Sequence, residues 1–208
     1  MKLYFIRHGK TEWNLEGRFQ GYSGDSPLLP QAIEELKQLG KHLADIPFDA
    51  IYSSDSQRAH ATAKQIVRDN HHCQHIETSP QLREWNFGKL EGTKVSLFRS
   101  IYPKQAYALK HNLATFHHEL FGAESVYQVC NRMTRFVKQL KEQEAEHVLI
   151  VSHGAILTAS IHKLLGYSSA DLRKRGGLDN ASISILETDD FETFQAIRWN
   201  DTSYKQIS

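Results

Sequence analysis

The sequence predicts a three-layer α/β/α sandwich, built on a mostly parallel sheet with a small helical insertion over one edge. Short apolar runs that stop at a polar residue and glycine, Leu3-Tyr4-Phe5-Ile6-Arg7-His8-Gly9 and Val148-Leu149-Ile150-Val151-Ser152-His153-Gly154, read as buried parallel strands ending in loops. Amphipathic helical patterns alternate with such strands, which is the signature of a helix-covered sheet. The stretch from about Thr93 to Gly122 breaks that alternation with helix-forming residues and the aromatics Phe98, Tyr102, Tyr107, Phe116 and Phe121.

After the first strand, a polar loop with several glycines runs from Gly9 to about Pro30. Ala32, Leu36, Leu39, Leu43 and Ile46 then recur at helical spacing and give one apolar face, which Pro47 ends. Ala50-Ile51-Tyr52-Ser53 is β-leaning, and Ser54-Asp55-Ser56 offers N-cap residues to a helix buried through Ala59, Ala63, Ile66 and Val67. Val129, Met133, Phe136, Val137 and Leu140 mark a further amphipathic helix leading into the strand Val148–Ser152. Ala155 to Leu165 reads as a helix, and Ser182–Leu186 and Thr193–Trp199 as strands joined by an acidic turn at Asp189-Asp190. The insertion reads as a lid whose aromatics form a small core of their own. All 208 residues are expected to form a single domain.

Composition narrows the function classes. Apolar content of 40% and charged content of 24% are those of a soluble globular protein. A net charge of +1 gives no global field for a nucleic acid or an anionic membrane, so neither is an expected partner. Cys73 and Cys130 are too far apart in sequence to suggest a disulfide framework, which fits a reduced, cytoplasmic setting. Lys2 and Arg7 leave too short an apolar stretch for a signal peptide, and no run reaches transmembrane length. His71-His72-Cys73-Gln74-His75 lacks a second ligand pair at metal-binding spacing and reads as a solvated loop, as does His117-His118. Nothing in the sequence signals an oligomeric state.

In open α/β sheets the chemistry collects where strands end, so the two strand–His–Gly units bring two imidazoles to one edge. Arg7-His8-Gly9 followed by Thr11 and Asn14, then Ser53-Ser54-Asp55-Ser56-Gln57-Arg58-Ala59, then Leu82-Arg83-Glu84-Trp85-Asn86-Phe87-Gly88-Lys89-Leu90-Glu91-Gly92, and finally Ser152-His153-Gly154 occur in that order. Together these segments resemble the histidine phosphatase superfamily, which includes the cofactor-dependent phosphoglycerate mutases. The resemblance spans most of the chain and implies a catalytic set of His8, Glu84, Arg7, Arg58 and His153, with a small phosphorylated metabolite as substrate and neither metal nor other cofactor.

The residue chemistry fits those roles. Phosphoryl transfer to an enzyme group needs a nucleophile, positive charge around the non-bridging oxygens and a proton for the leaving alkoxide. His8 suits the first need. Arg7 and Arg58 have planar forks matched to phosphate oxygens, and His153 adds a donor. Glu84 is the expected proton donor, with Glu91 as its competitor. Thr11, Asn14, Gln20, Gly21 and Gly154 are candidate phosphate or substrate contacts, and the amides opening the helix after Ser56 are candidate helpers. In the insertion, Lys94, Arg99, Tyr102 and Lys104 are candidates for the outer pocket. The loop Phe19-Gln20-Gly21-Tyr22-Ser23-Gly24 and the acid segment look more like the phosphatase branch. Phosphomonoester hydrolysis through a phosphohistidine is therefore expected, with mutase chemistry and a non-catalytic phosphate-binding module as alternatives. Leu29-Pro30-Gln31 stands where the family commonly has a Thr-x-x-Gly helix entry.

Overall fold

The structure is a computed structural model and describes residues 1–206. Six strands form one sheet: β1 (Lys2–Arg7), β2 (Ala50–Ser54), β3 (Glu77–Ser79), β4 (His147–Ser152), β5 (Ile183–Glu187) and β6 (Gln195–Asp201), in the order β3-β2-β4-β1-β5-β6. From β3 across to β1 all pairing is parallel, whereas β5 runs antiparallel to β1 and β6 antiparallel to β5. A tight connection between β5 and β6 permits only the antiparallel arrangement. The Asp190 carboxylate closes that turn by accepting the Glu192 and Thr193 amides, each at 2.8 Å.

Helices α1 (Glu12–Leu15), α2 (Pro30–His42), α3 (Gln57–Val67), α4 (Val95–Ile101), α5 (Pro103–His111), α6 (Val126–Gln139) and α7 (Gly154–Leu164) complete the fold. Side chains of β1 alternate between the two faces of the sheet. Tyr4 and Ile6 pack with Leu36, Leu39, Ala63 and Ile66 under α2 and α3. Leu3 and Phe5 pack with Val129, Met133, Ile156 and Leu157 under α6 and α7. Both faces are covered, which is why these strands read as continuous apolar runs.

Several details differ from expectation. Helix α2 stops at His42, short of Pro47, and the Asn70 side chain donates to the Leu43 and Ile46 carbonyls beyond it at 3.0 and 3.1 Å. This long-range cap ends the helix ahead of the proline. Ser56 occupies the N-cap position of α3 without a side-chain cap bond. The short, polar strand β3 has no apolar pattern to announce it. The insertion has no separate core either: Phe98, Phe116 and Phe121 join Trp85, Phe87 and Phe19 in the main cluster, while Tyr102 and Tyr107 are exposed. A segment this small cannot bury its aromatics by itself, so it draws on the domain core. Among the described residues, no helix is long and apolar enough to cross a membrane.

Candidate active site

Arg7 and Ser152 are register partners on the adjacent parallel strands β1 and β4, and the His8 amide donates to the Ser152 carbonyl at 2.9 Å. His8 and His153 therefore leave the sheet side by side, with ring centroids 5.1 Å apart at an interplanar angle of 63°. His8 Nδ1 lies 2.8 Å from the Gly9 carbonyl. A carbonyl only accepts, so Nδ1 carries the proton and Nε2 keeps its lone pair. Asn180 donates from Nδ2 to the His8 carbonyl and to Asn14 Oδ1, each at 3.1 Å. That contact ties the loop after β1 to the segment before β5.

Both imidazoles are held neutral. Burial, then Arg58, then Arg7 push the His8 pKa well below its ordinary 6.5. Burial and Arg58 are also the leading causes for His153, followed by His8 and Arg7. His153 Nε2 meets Ser54 Oγ at 2.9 Å, and its Nδ1 is fully buried without a partner.

The two arginines differ in placement. Arg7 donates from Nη1 to the Leu178 carbonyl, while its Nε is buried and unpartnered. It passes so close to Gly154 that a Cβ there would lie 2.9 Å from Nε, which explains the glycine after His153. Arg58 is 2% exposed and binds the loop after α1. Its Nη1 donates to the Gly24 carbonyl at 2.7 Å and to Asp25, and its Nη2 to the Gly21 carbonyl at 3.0 Å. With the Gln20 amide oriented as the hydrogen-bond network requires, its oxygen accepts from Arg58 Nε at 2.9 Å. Its nitrogen then donates to Thr11 and Ser26. Most of the Arg58 donors are thus engaged, leaving one N–H of Nη2 free.

Glu84 is seated on the first turn of α7. Its Oε1 accepts the Trp85 and Ile156 amides and its Oε2 the Ala155 amide, all at 2.8 Å. The competitor Glu91 has a different task, because its carboxylate accepts the amides of Tyr22, Ser23, Gly24 and Phe87 and shapes the loop over Arg58. The Glu84 backbone is clamped by Arg132, which donates to the Gln81, Arg83 and Glu84 carbonyls and pairs with Glu124.

A cavity of about 240 Å³ opens over these groups. Arg7, His8, Asn14, Gln20, Glu84 and Gly154 line it, together with Arg18, Phe87, Val95 and Arg173. Arg58 and His153 are buried and are not among these lining residues. Thr11 is the N-cap of α1, in a capping box with Asn14, and Gly21 is packed so closely that a Cβ would meet Glu91 and the Trp85 carbonyl. Neither reaches the cavity. Of the amides opening α3, the Gln57 N–H is taken by Asp25 at 2.7 Å, and no residue of that turn lines the cavity. Lys94, Arg99, Tyr102 and Lys104 are exposed and do not line the cavity, because α4 turns Phe98 inward and its cations to solvent. Sequence reasoning missed Arg173, Arg132, Asn180 and Arg18. For Arg173 a signal existed: Arg173-Lys174-Arg175-Gly176-Gly177 is a cationic, glycine-ended run of the kind that binds anions.

Comparison with known proteins shows the family. The family model for the histidine phosphatase superfamily (branch 1) matches residues 3–202. A metal-independent phosphoserine phosphatase of Arabidopsis thaliana is 31% identical over 208 residues, 98% of this chain and 82% of the relative. A probable phosphoglycerate mutase GpmB of Proteus mirabilis is 33% identical over 190 residues, 90% of this chain and 85% of the relative. The mycobacterial glucosyl-3-phosphoglycerate phosphatase in complex with VO3 superposes with a TM-score of 0.86 at 26% identity, covering 96% of this chain and 98% of that one. The chain belongs to branch 1 of the histidine phosphatase superfamily.

Proposed function

We propose that this protein is a phosphomonoester hydrolase acting through a phosphohistidine on His8, without a metal. The observation that carries the reading is a free Nε2 on His8 with two buried, unpartnered nitrogens close by, Arg7 Nε and His153 Nδ1. With Ser54 Oγ donating to Nε2 of His153, its Nδ1 is a second N–H donor. Buried donors without partners are costly, and the oxygens of a phosphoryl group would satisfy both.

The steps follow from this arrangement. His8 Nε2 attacks phosphorus while the Gly9 carbonyl steadies the ring through Nδ1–H. Arg7, the free Arg58 N–H and His153 stabilise the phosphoryl oxygens. The P–O bond to the leaving group breaks as Glu84 gives a proton to the departing oxygen. Water then attacks the phosphohistidine, Glu84 takes a proton from it, and the P–N bond breaks to return neutral His8 and inorganic phosphate. To serve the leaving oxygen, one Glu84 oxygen must turn from its α7 amide toward the cavity. The Arabidopsis relative's metal independence supports the same chemistry. Both cysteines are free, which suits a reducing cytoplasm.

Hydrolysis of p-nitrophenyl phosphate in the presence of a chelator tests this reading, alongside trapping of acid-labile phosphate on the enzyme. Turnover in chelator and loss of label in His8→Ala are expected. Strict dependence on added metal, or label retained in His8→Ala, would overturn it. Primer-dependent interconversion of phosphoglycerates, faster than hydrolysis, would assign the mutase chemistry named for the Proteus relative.

A further inference from the structure

We propose that Arg173 is a specificity-determining residue that binds a second anionic group, carboxylate or phosphoryl, on the substrate's leaving portion. This rests on phosphate binding at His8 and goes beyond it. Arg173 comes from the connection between α7 and β5 and lines the cavity alongside Arg7, His8 and Glu84. Apart from Arg7, which serves the phosphoryl group, neighbouring arginines are paired with carboxylates: Arg58 with Asp25, Arg83 with Asp55 and Arg132 with Glu124. Arg18, on the same cavity, pairs with Glu16 and donates to the Gly92 carbonyl. Arg173 has no salt bridge among the described residues, and its Nε is buried without a hydrogen-bond partner.

Placing a guanidinium partly out of water without a partner is unfavourable, because hydration is lost and nothing replaces it. Burial is accordingly the main influence lowering the Arg173 pKa, with Arg7 adding repulsion and Glu84 opposing it. Among the described residues lining the cavity, Glu84 is the one carboxylate against Arg7, Arg18 and Arg173, so the cavity has more cationic than anionic character. One phosphoryl group on His8 occupies Arg7; an anionic substituent on the leaving group would occupy Arg173. At about 240 Å³ the cavity has room for a small phosphomonoester whose second anion lies beside the phosphoryl group on His8. A short phosphomonoester that also carries a carboxylate or a second phosphoryl group fits both conditions, and the fork of Arg173 suits either.

Binding of matched phosphonates, measured by calorimetry without turnover, tests the assignment. Propylphosphonate carries only the phosphoryl mimic, 3-phosphonopropionate adds a carboxylate, and propane-1,3-bisphosphonate adds a second phosphoryl group. The wild-type protein is expected to bind one of the doubly anionic probes roughly 10- to 100-fold more tightly than propylphosphonate. Which probe gains more identifies the second anion. In Arg173→Met, which keeps much of the aliphatic stem, that preference should fall to within about threefold. Arg173→Lys should keep part of it. No preference in the wild type, or a preference undiminished in a folded Arg173→Met or Arg173→Gln, would overturn the proposal. Loss of p-nitrophenyl phosphate turnover with this preference intact would count against the hydrolase reading alone.

Discussion

Glu84 Oε1 accepts the Ile156 amide at 2.8 Å across 72 residues of chain, so the candidate acid rests on the first turn of the helix that follows His153. One helix N-terminus thus orients both the carboxylate and the second imidazole. Glu91, seven positions later, faces a different set of amides and holds the loop over Arg58 instead.

That division predicts different outcomes for two similar substitutions. Glu84→Gln should lower kcat for an alkyl phosphate by roughly 10²- to 10⁴-fold, because an alkoxide needs a proton to leave. It should affect p-nitrophenyl phosphate much less, since p-nitrophenolate leaves unprotonated. Glu91→Gln should instead destabilise the loop and raise KM for both substrates alike. Equal sensitivity of the two leaving groups to Glu84→Gln would remove it from the acid role.

The histidine environment sets a pH dependence. His8 has a folded-state pKa well below 6.5, so its neutral form persists as pH falls through that value. The acid limb of kcat/KM is expected below pH 6.5, and a limb at or above it would contradict the buried, cation-flanked geometry. Stability moves in the same direction. For a histidine with a lowered folded pKa, the unfolded chain takes up protons first, so stability is full above about 6.5 and falls as pH drops below it. The limiting slope is about 1.4 kcal/mol per pH unit for each of His8 and His153. Denaturant unfolding at a series of pH values measures it.

Gly154→Ala tests the close passage of Arg7. The new Cβ would meet Arg7 Nε at 2.9 Å and Cζ at 3.0 Å, forcing the guanidinium to move. Displacement of about 1 Å at such a group costs on the order of 10²-fold in rate. A large loss in kcat/KM with little change in the urea midpoint is expected; unchanged kinetics would show that Arg7 is free to relocate.

Arg132 is expected to act on structure and catalysis together. Its guanidinium binds three backbone carbonyls and the Glu124 carboxylate, which itself accepts the Asn86 amide. Arg132→Met should cost about 2 kcal/mol of stability, less than a fully buried pair because both side chains retain some exposure. It should also lower kcat more than KM, since the Glu84 backbone loses its clamp. A stable variant with wild-type kcat would show that Trp85 and α7 hold that segment unaided.

Much of the architecture was legible because local patterns decide it. The runs at β1 and β4 are apolar on both faces since both faces are covered, and the helical spacing of Leu36, Leu39, Ala63 and Ile66 names the side that packs on Tyr4 and Ile6. The motifs around His8, Arg58, Glu84 and His153 were readable as a family pattern, and the structure brings these residues together. Short, polar β3 was not legible, nor was the Asn70 cap on α2, because both depend on partners distant in sequence.

By itself, the sequence determined the fold class, the strand ends carrying His8 and His153, and the residue types needed to handle a phosphoryl group. Tertiary structure decided how those residues divide the work. It committed Arg58 chiefly to the loop carbonyls of Gly21 and Gly24 and seated Glu84 rather than Glu91 on α7. It also turned the insertion's cations outward while bringing Arg173 to the cavity. The physical reason is that a side chain's chemistry is local, whereas its partners, burial and field are set by which distant segments the packed core brings beside it.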